Sequence, residues 1–184
     1  MSVGSFVVLL APVPVLILGS LACLGLAALR RRRLRARFGP EYDRVAREQP
    51  SLRSAERELV RRTRRHNALR LRPIGPRAQN AYALAWRKLR ERFADDPLGA
   101  VLSAEQLVGR VATSRGYPAD RSSERLALLS VAHPCALAGY REAQSAGERG
   151  RVGVATTEEL REALAQYHVL FAQLLVTPAP ARLR

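Results

Sequence analysis

The run SFVVLLAPVPVLILGSLACLGLAALRRRRLRAR occupies residues 5–37 and decides how the rest of the chain is read. It carries no charge from Ser5 to Leu29, then meets Arg30, Arg31, Arg32, Arg33, Arg35 and Arg37. About 24 residues at a helical rise of roughly 1.5 Å cover about 36 Å, enough for a hydrocarbon core of about 30 Å. An arginine at mid-membrane costs at least about 2.5 kcal/mol, so these six side chains fix the inner end of a span at Leu29 or Arg30. The expectation is a single transmembrane helix within residues 1–29, with the six arginines against the anionic headgroups of the lipid bilayer. Positive flanks stay inside, which puts the N-terminus outside the cell membrane and everything after Arg30 in the cytoplasm. A cleavable signal peptide fits less well, because the basic residues follow the apolar run instead of preceding it.

The net charge of +15 is unevenly placed. Residues 30–77 hold 17 arginines against five acids, a balance of +12, and residues 78–184 contribute the remaining +3. Lys88 is the only lysine beside 30 arginines, which points to a GC-rich genome as one source of the arginine content. Much of the basicity is therefore a topology signal. The arginines between Arg53 and Arg72 are left as a second surface element: a solvated helix face, or a contact for anionic lipid. Cys23 reads as a small apolar residue of the span and Cys135 as buried or idle, so this topology offers no internal disulfide.

Beyond the arginines, residues 30–50 read as a basic juxtamembrane linker, 51–176 as one helical domain and 177–184 as a disordered tail. Phe38-Gly39-Pro40 breaks the first helix, and Ser51 or Ser54 caps one that runs to about Asn67. Tyr82, Trp86, Leu89 and Phe93 repeat at helical steps and predict a helix over 77–93 that forms the central wall of a core. Asp95-Asp96-Pro97 starts another helix, closed by Gly116-Tyr117-Pro118, and a further one begins at Pro134. Gly147 to Gly153 reads as a flexible break. Thr156 with Glu159 makes a capping box for a last helix whose Leu160, Leu164, Tyr167, Phe171 and Leu174 share a face. With no alternating strand pattern of useful length, the fold class is all-α: a single transmembrane helix followed by a small cytoplasmic helical bundle.

The strings Ala55-Glu56-Arg57-Glu58-Leu59, Arg92-Phe93-Ala94-Asp95-Asp96-Pro97, Arg115-Gly116-Tyr117-Pro118, Leu129-Ser130-Val131-Ala132-His133-Pro134 and Tyr140-Arg141 occur in one order. Together they resemble a family of uncharacterised actinobacterial proteins with one N-terminal hydrophobic segment. The resemblance covers most of the chain after the arginines and implies a membrane-associated helical protein. It carries no activity, and the family pattern has aspartate where this chain has Ala132.

Candidate chemistry is sparse. His66, His133 and His168 stand far apart, without the paired spacing of a zinc site, and neither a phosphate-binding glycine loop nor a nucleophile elbow is present. Asp95 and Asp96 read as helix-capping residues, since adjacent carboxylates rarely converge on one substrate atom. No catalytic, cofactor-binding or metal residue is therefore named. The expected function is a membrane-anchored interaction or scaffold module for an unidentified protein partner. The alternatives are an enzyme of unrecognised type and a membrane-tethered nucleic-acid-binding protein. A polar pocket collecting His133, Asp95 and Glu142 would favour the enzyme. Nucleic acid is disfavoured because no aromatic interleaves the arginines from Arg53 to Arg72.

Overall fold

The computed structural model describes residues 12–176, and within them the chain forms eight helices and no strand. It divides between Arg37 and Phe38 into two units. The first contains nearly all of α1 (Pro12–Phe38), a helix that continues through Leu29 and the arginines without a break. Arginine is a good helix former, so the change from apolar to charged residues leaves the backbone undisturbed. The helix stops where Gly39 takes a positive φ of 49° and Pro40 follows.

No helix among the described residues is long and apolar enough to cross a membrane. The uncharged part of α1, from Pro12 to Leu29, covers about 27 Å at roughly 1.5 Å per residue, against a core of about 30 Å. The earlier part of the expected span lies outside the described residues, and so does the expected disordered tail at 177–184. The described helices therefore do not supply the transmembrane segment read from the sequence.

The second unit holds α2 (Pro40–Glu48), α3 (Leu52–Ala68), α4 (Pro76–Arg92), α5 (Pro97–Ser114), α6 (Ser122–Ala132), α7 (Pro134–Arg151) and α8 (Thr157–Val176). The linker expected over 30–50 is corrected on both sides. Its first part belongs to α1, and its second part is packed, with Phe38, Glu41, Tyr42 and Val45 buried. Glu41 is 1% exposed and accepts from Arg141 Nε of α7 at 2.9 Å, which ties α2 to the bundle. The sequence shows this segment as charged because one face of so short a helix is solvated.

The core centres on α8, which packs most heavily on α7 and then on α5. All five residues of the expected α8 face are buried, joined by Leu170. The capping box also forms: Thr156 N donates to Glu159 Oε2 at 2.8 Å, and Glu159 N donates to Thr156 Oγ1 at 3.2 Å. Helix α3 starts at Ser51, which forms a capping box with Ser54. Helix α4 is not the central wall. Trp86 is its one buried residue, stacked 4.7 Å from Phe171, while Tyr82, Leu89 and Phe93 are half-buried at the edge of the core.

The expected break at Gly147–Gly153 is also corrected, because α7 runs through Gly147 and Gly150 to Arg151. These glycines serve close packing. A Cβ at Gly150 would lie 2.7 Å from Leu98 Cδ1 and 3.3 Å from Leu160 Cδ2, and one at Gly139 would meet Gln166 Oε1 at 2.1 Å. Together with the Gln144–Glu105 hydrogen bond, the Leu98–Gly150 and Leu102–Gly147 approaches set α5 and α7 antiparallel.

The C-terminus of α8 is held from outside its own sequence. Arg115, 2% exposed at the end of α5, donates through Nη1 to the Leu174 carbonyl at 3.0 Å. Gln79 of α4 donates to the Leu175 carbonyl at 3.3 Å. Final-turn carbonyls have no intrahelical partner, and a guanidinium there also complements the helix dipole. Replacing Arg115→Leu is expected to lower the stability of the full chain in neutral detergent by about 1.5–3 kcal/mol, the worth of a hydrogen bond to a charged group. Chemical unfolding followed by Trp86 fluorescence measures it, and an unchanged midpoint would show that the carbonyl finds another donor.

Candidate functional site

A cleft with a volume of about 730 Å³ lies along one face of α5, closed by α6, α7 and Tyr82 of α4. Leu102, Glu105, Gln106, Gly109, Arg110, Thr113 and Ser114 line it, at the three- and four-residue steps of a single helix face. From Leu102 to Ser114 that face is about 18 Å long. Tyr140, Gln144 and Arg151 oppose it from α7, and Ser122 and Arg125 from α6. The neighbouring face of α5, with Val101, Ala104, Leu107, Val108 and Val111, is buried in the core. One helix therefore serves both the apolar interior and the polar cleft.

The side chains in the cleft are positioned by specific bonds. Gln144 Nε2 donates to Glu105 Oε1 at 2.7 Å, so the one carboxylate among the lining residues is engaged. Arg125 Nη1 donates to the carbonyls of Pro118 at 3.1 Å and Ala119 at 2.9 Å, which fixes its guanidinium over the cleft near Gly109. Tyr82 and Ser114 share a hydroxyl–hydroxyl bond of 2.6 Å. The Tyr140 ring sits edge-on to Tyr167 at 5.0 Å. Burial and then the nearby Glu105 push the Tyr140 phenol up, so both act as neutral groups at physiological pH.

The residues that would have marked an enzyme do not meet here. Asp95 and Glu142 are exposed elsewhere, and neither they nor His133 line the cleft. Asp96 caps α5 by accepting from Gly99 N at 2.8 Å, and with Arg92 beside it this bond holds its carboxyl below the usual range. His66 approaches the Tyr117 hydroxyl at 3.2 Å, and His168 lies against Trp86 with ring centroids 5.1 Å apart. Cys135 is exposed and not buried. No group of three potential metal ligands occurs among the described residues.

Two basic surfaces were legible in the sequence. Arg30, Arg31, Arg32, Arg33, Arg35 and Arg37 are all exposed on α1. On α3, Arg53, Arg57, Arg61 and Arg64 are exposed within roughly 80° of the circumference, opposite Ala55 and Leu59, which are buried. The cleft arginines were missed, because their distances along the chain give no motif. The available signal was the polar stripe at Glu105, Gln106, Arg110, Thr113 and Ser114 beside an apolar face.

No protein-family model, curated protein or solved structure matches the chain.

His133 is 8% exposed at the start of α7, and its Nδ1 bonds Gln173 Oε1 at 2.9 Å. Burial foremost, with the charges of Arg115 and His66, holds its pKa below the ordinary 6.5, against the opposing effect of Gln173. The folded state therefore keeps this imidazole neutral where the unfolded chain takes up a proton. Its contribution is complete above about pH 6.5 and is lost as pH falls toward the lower folded value. Thermal unfolding of the full chain at about pH 7.5 and about pH 5.5 is expected to show a lower midpoint in acid, with a smaller drop for His133→Asn. An identical drop in the variant would assign the acid sensitivity to other groups.

Proposed function

We propose that the chain is a single-pass, membrane-anchored helical binding module. Residues up to Leu29 lie in the bilayer, and Arg30 to Arg37 contact anionic headgroups at its inner face. The unit beginning at Phe38 stands in the cytoplasm, where its α5–α7 cleft takes up a ligand or a segment of a partner. The observation that carries the anchor is the exposure of Leu18, Leu21, Leu24, Leu26 and Leu29 on α1, between 54% and 69% each. Their positions spread over roughly 200° of the circumference, wider than the stripe a helix packed on one side presents, and this supports a helix in an apolar medium. Arginines next to such a segment stay on the cytoplasmic side.

Binding is favoured over catalysis by the state of the cleft. Its one carboxylate already accepts from an amide, and burial keeps the Tyr140 phenol neutral. A general base needs an acceptor within reach of the substrate proton and a pKa suited to taking it.

Carbonate extraction and vesicle flotation test the anchor. The full chain is expected to float with vesicles and resist extraction, while the double variant Leu21→Arg with Leu24→Arg is expected to be released. Each arginine at such depth costs at least about 2.5 kcal/mol. A wild-type chain released by carbonate would sink this reading.

A further inference from the structure

We propose that the α5–α7 cleft is a binding site for a small oxyanion, a molecule bearing phosphate or carboxylate together with hydroxyl or amine donors. This inference rests on the binding reading above and names the chemistry of the ligand. Three arginines, Arg110, Arg125 and Arg151, line the cleft against a single carboxylate, Glu105. Like charges gathered around a cavity are unfavourable unless a counter-charge enters.

The three cations differ in how they are held. The Arg125 guanidinium is oriented by two backbone carbonyls, so little rotamer freedom remains to be lost when a ligand binds. Arg110 and Arg151 pair with no carboxylate among the described residues, whereas Arg149, two residues before Arg151 in the last turn of α7, is engaged by Glu159 at 2.7 Å. Arg110 follows Gly109, beneath the Arg125 guanidinium, so these two form one positive end of the cleft. Arg151 follows Gly147, which faces Leu102, so it lies toward the other end, and Glu105, bonded by Gln144, lies between.

This order selects a ligand class. An oxyanion enters the Arg110–Arg125 end, where guanidinium forks bond phosphate or carboxylate oxygens. The free lone pairs of Glu105 accept from a hydroxyl or amine on the body of the ligand, and the Tyr82–Ser114 hydroxyl pair closes the end wall. A volume of about 730 Å³ suits a small molecule.

The test uses the full chain in neutral detergent, with inorganic pyrophosphate and citrate as probes at matched ionic strength, read by calorimetry. Saturable binding of at least one probe is expected. The paired variant Arg110→Gln with Arg151→Gln should bind at least about tenfold more weakly, the loss of one charge-assisted bond. A control pair, Arg57→Gln with Arg64→Gln on α3, removes the same charge and should bind as the wild type does. Equal losses in both pairs would overturn the site, since nonspecific attraction would explain them, and so would the absence of saturable binding of either probe. Vesicles containing phosphatidylglycerol then distinguish the sources of the oxyanion. If they displace the probe from wild type, the ligand is a lipid headgroup; if they do not, it is a free molecule. Because binding is read in detergent, a chain that binds but does not float loses the anchor alone. One that floats but does not bind loses the ligand alone.

Discussion

The C-terminal carbonyls of α8 set a constraint on which much of the second unit depends. Leu174 and Leu175 end a helix whose inner face is the centre of the core, and their oxygens need donors that α8 cannot provide. Arg115 and Gln79 supply them from α5 and α4. The same arginine closes α5 and precedes Gly116, whose φ of 102° lets the chain turn where a Cβ would lie 2.8 Å from the Arg70 carbonyl. A single buried guanidinium thus links the ends of α5 and α8. It stays charged in spite of burial, which lowers its pKa from a very high starting point.

With α8 fixed, the glycines of α7 determine how closely its neighbours approach. Gly139 admits Gln166 of α8, and Gly150 admits Leu98 of α5 together with Leu160 of α8. Glycine inside a helix costs up to about 1 kcal/mol relative to alanine, a cost offset here by apolar contacts that any side chain would block. Close packing where Gly147 and Gly150 meet α5 brings Gln144 onto Glu105. Farther along, Tyr140 stands between the core and the cleft. The cleft is thus a consequence of core packing, with a floor that is rigid for the same reason the core is.

In the proposed reading, the two units separate location from recognition. Exposed leucines and arginines on α1 suit an interface between hydrocarbon and water, and they need no tertiary partner to do so. The second unit has its own core, its own caps and its own cleft. Its exposed α3 arginines add positive charge to the outer surface, whereas Arg110, Arg125 and Arg151 direct charge into a cavity. Charge on a convex helix face is well screened by solvent, but charge lining a concave wall acts on a bound group at short range.

Local features were readable from residues close together in the chain. The caps at Ser51, Asp96 and Thr156, the stop at Gly39-Pro40, the all-helical class and the buried face of α8 follow from spacing and side-chain chemistry within a few turns. The packing of α2, the peripheral place of α4, the continuation of α7 through its glycines and the cleft itself were not readable. Each depends on a partner far along the chain: Arg141 for Glu41, Leu98 for Gly150, Gln144 for Glu105. A glycine reads as a break until the neighbour that needs its missing Cβ is known, and an arginine reads as surface charge until its surroundings are known to be concave. The sequence by itself therefore determined the all-helical class, the caps at Ser51, Asp96 and Thr156 and the apolar face of α8. Only the tertiary structure decided which polar residues converge, because convergence depends on distances across helices and not along them.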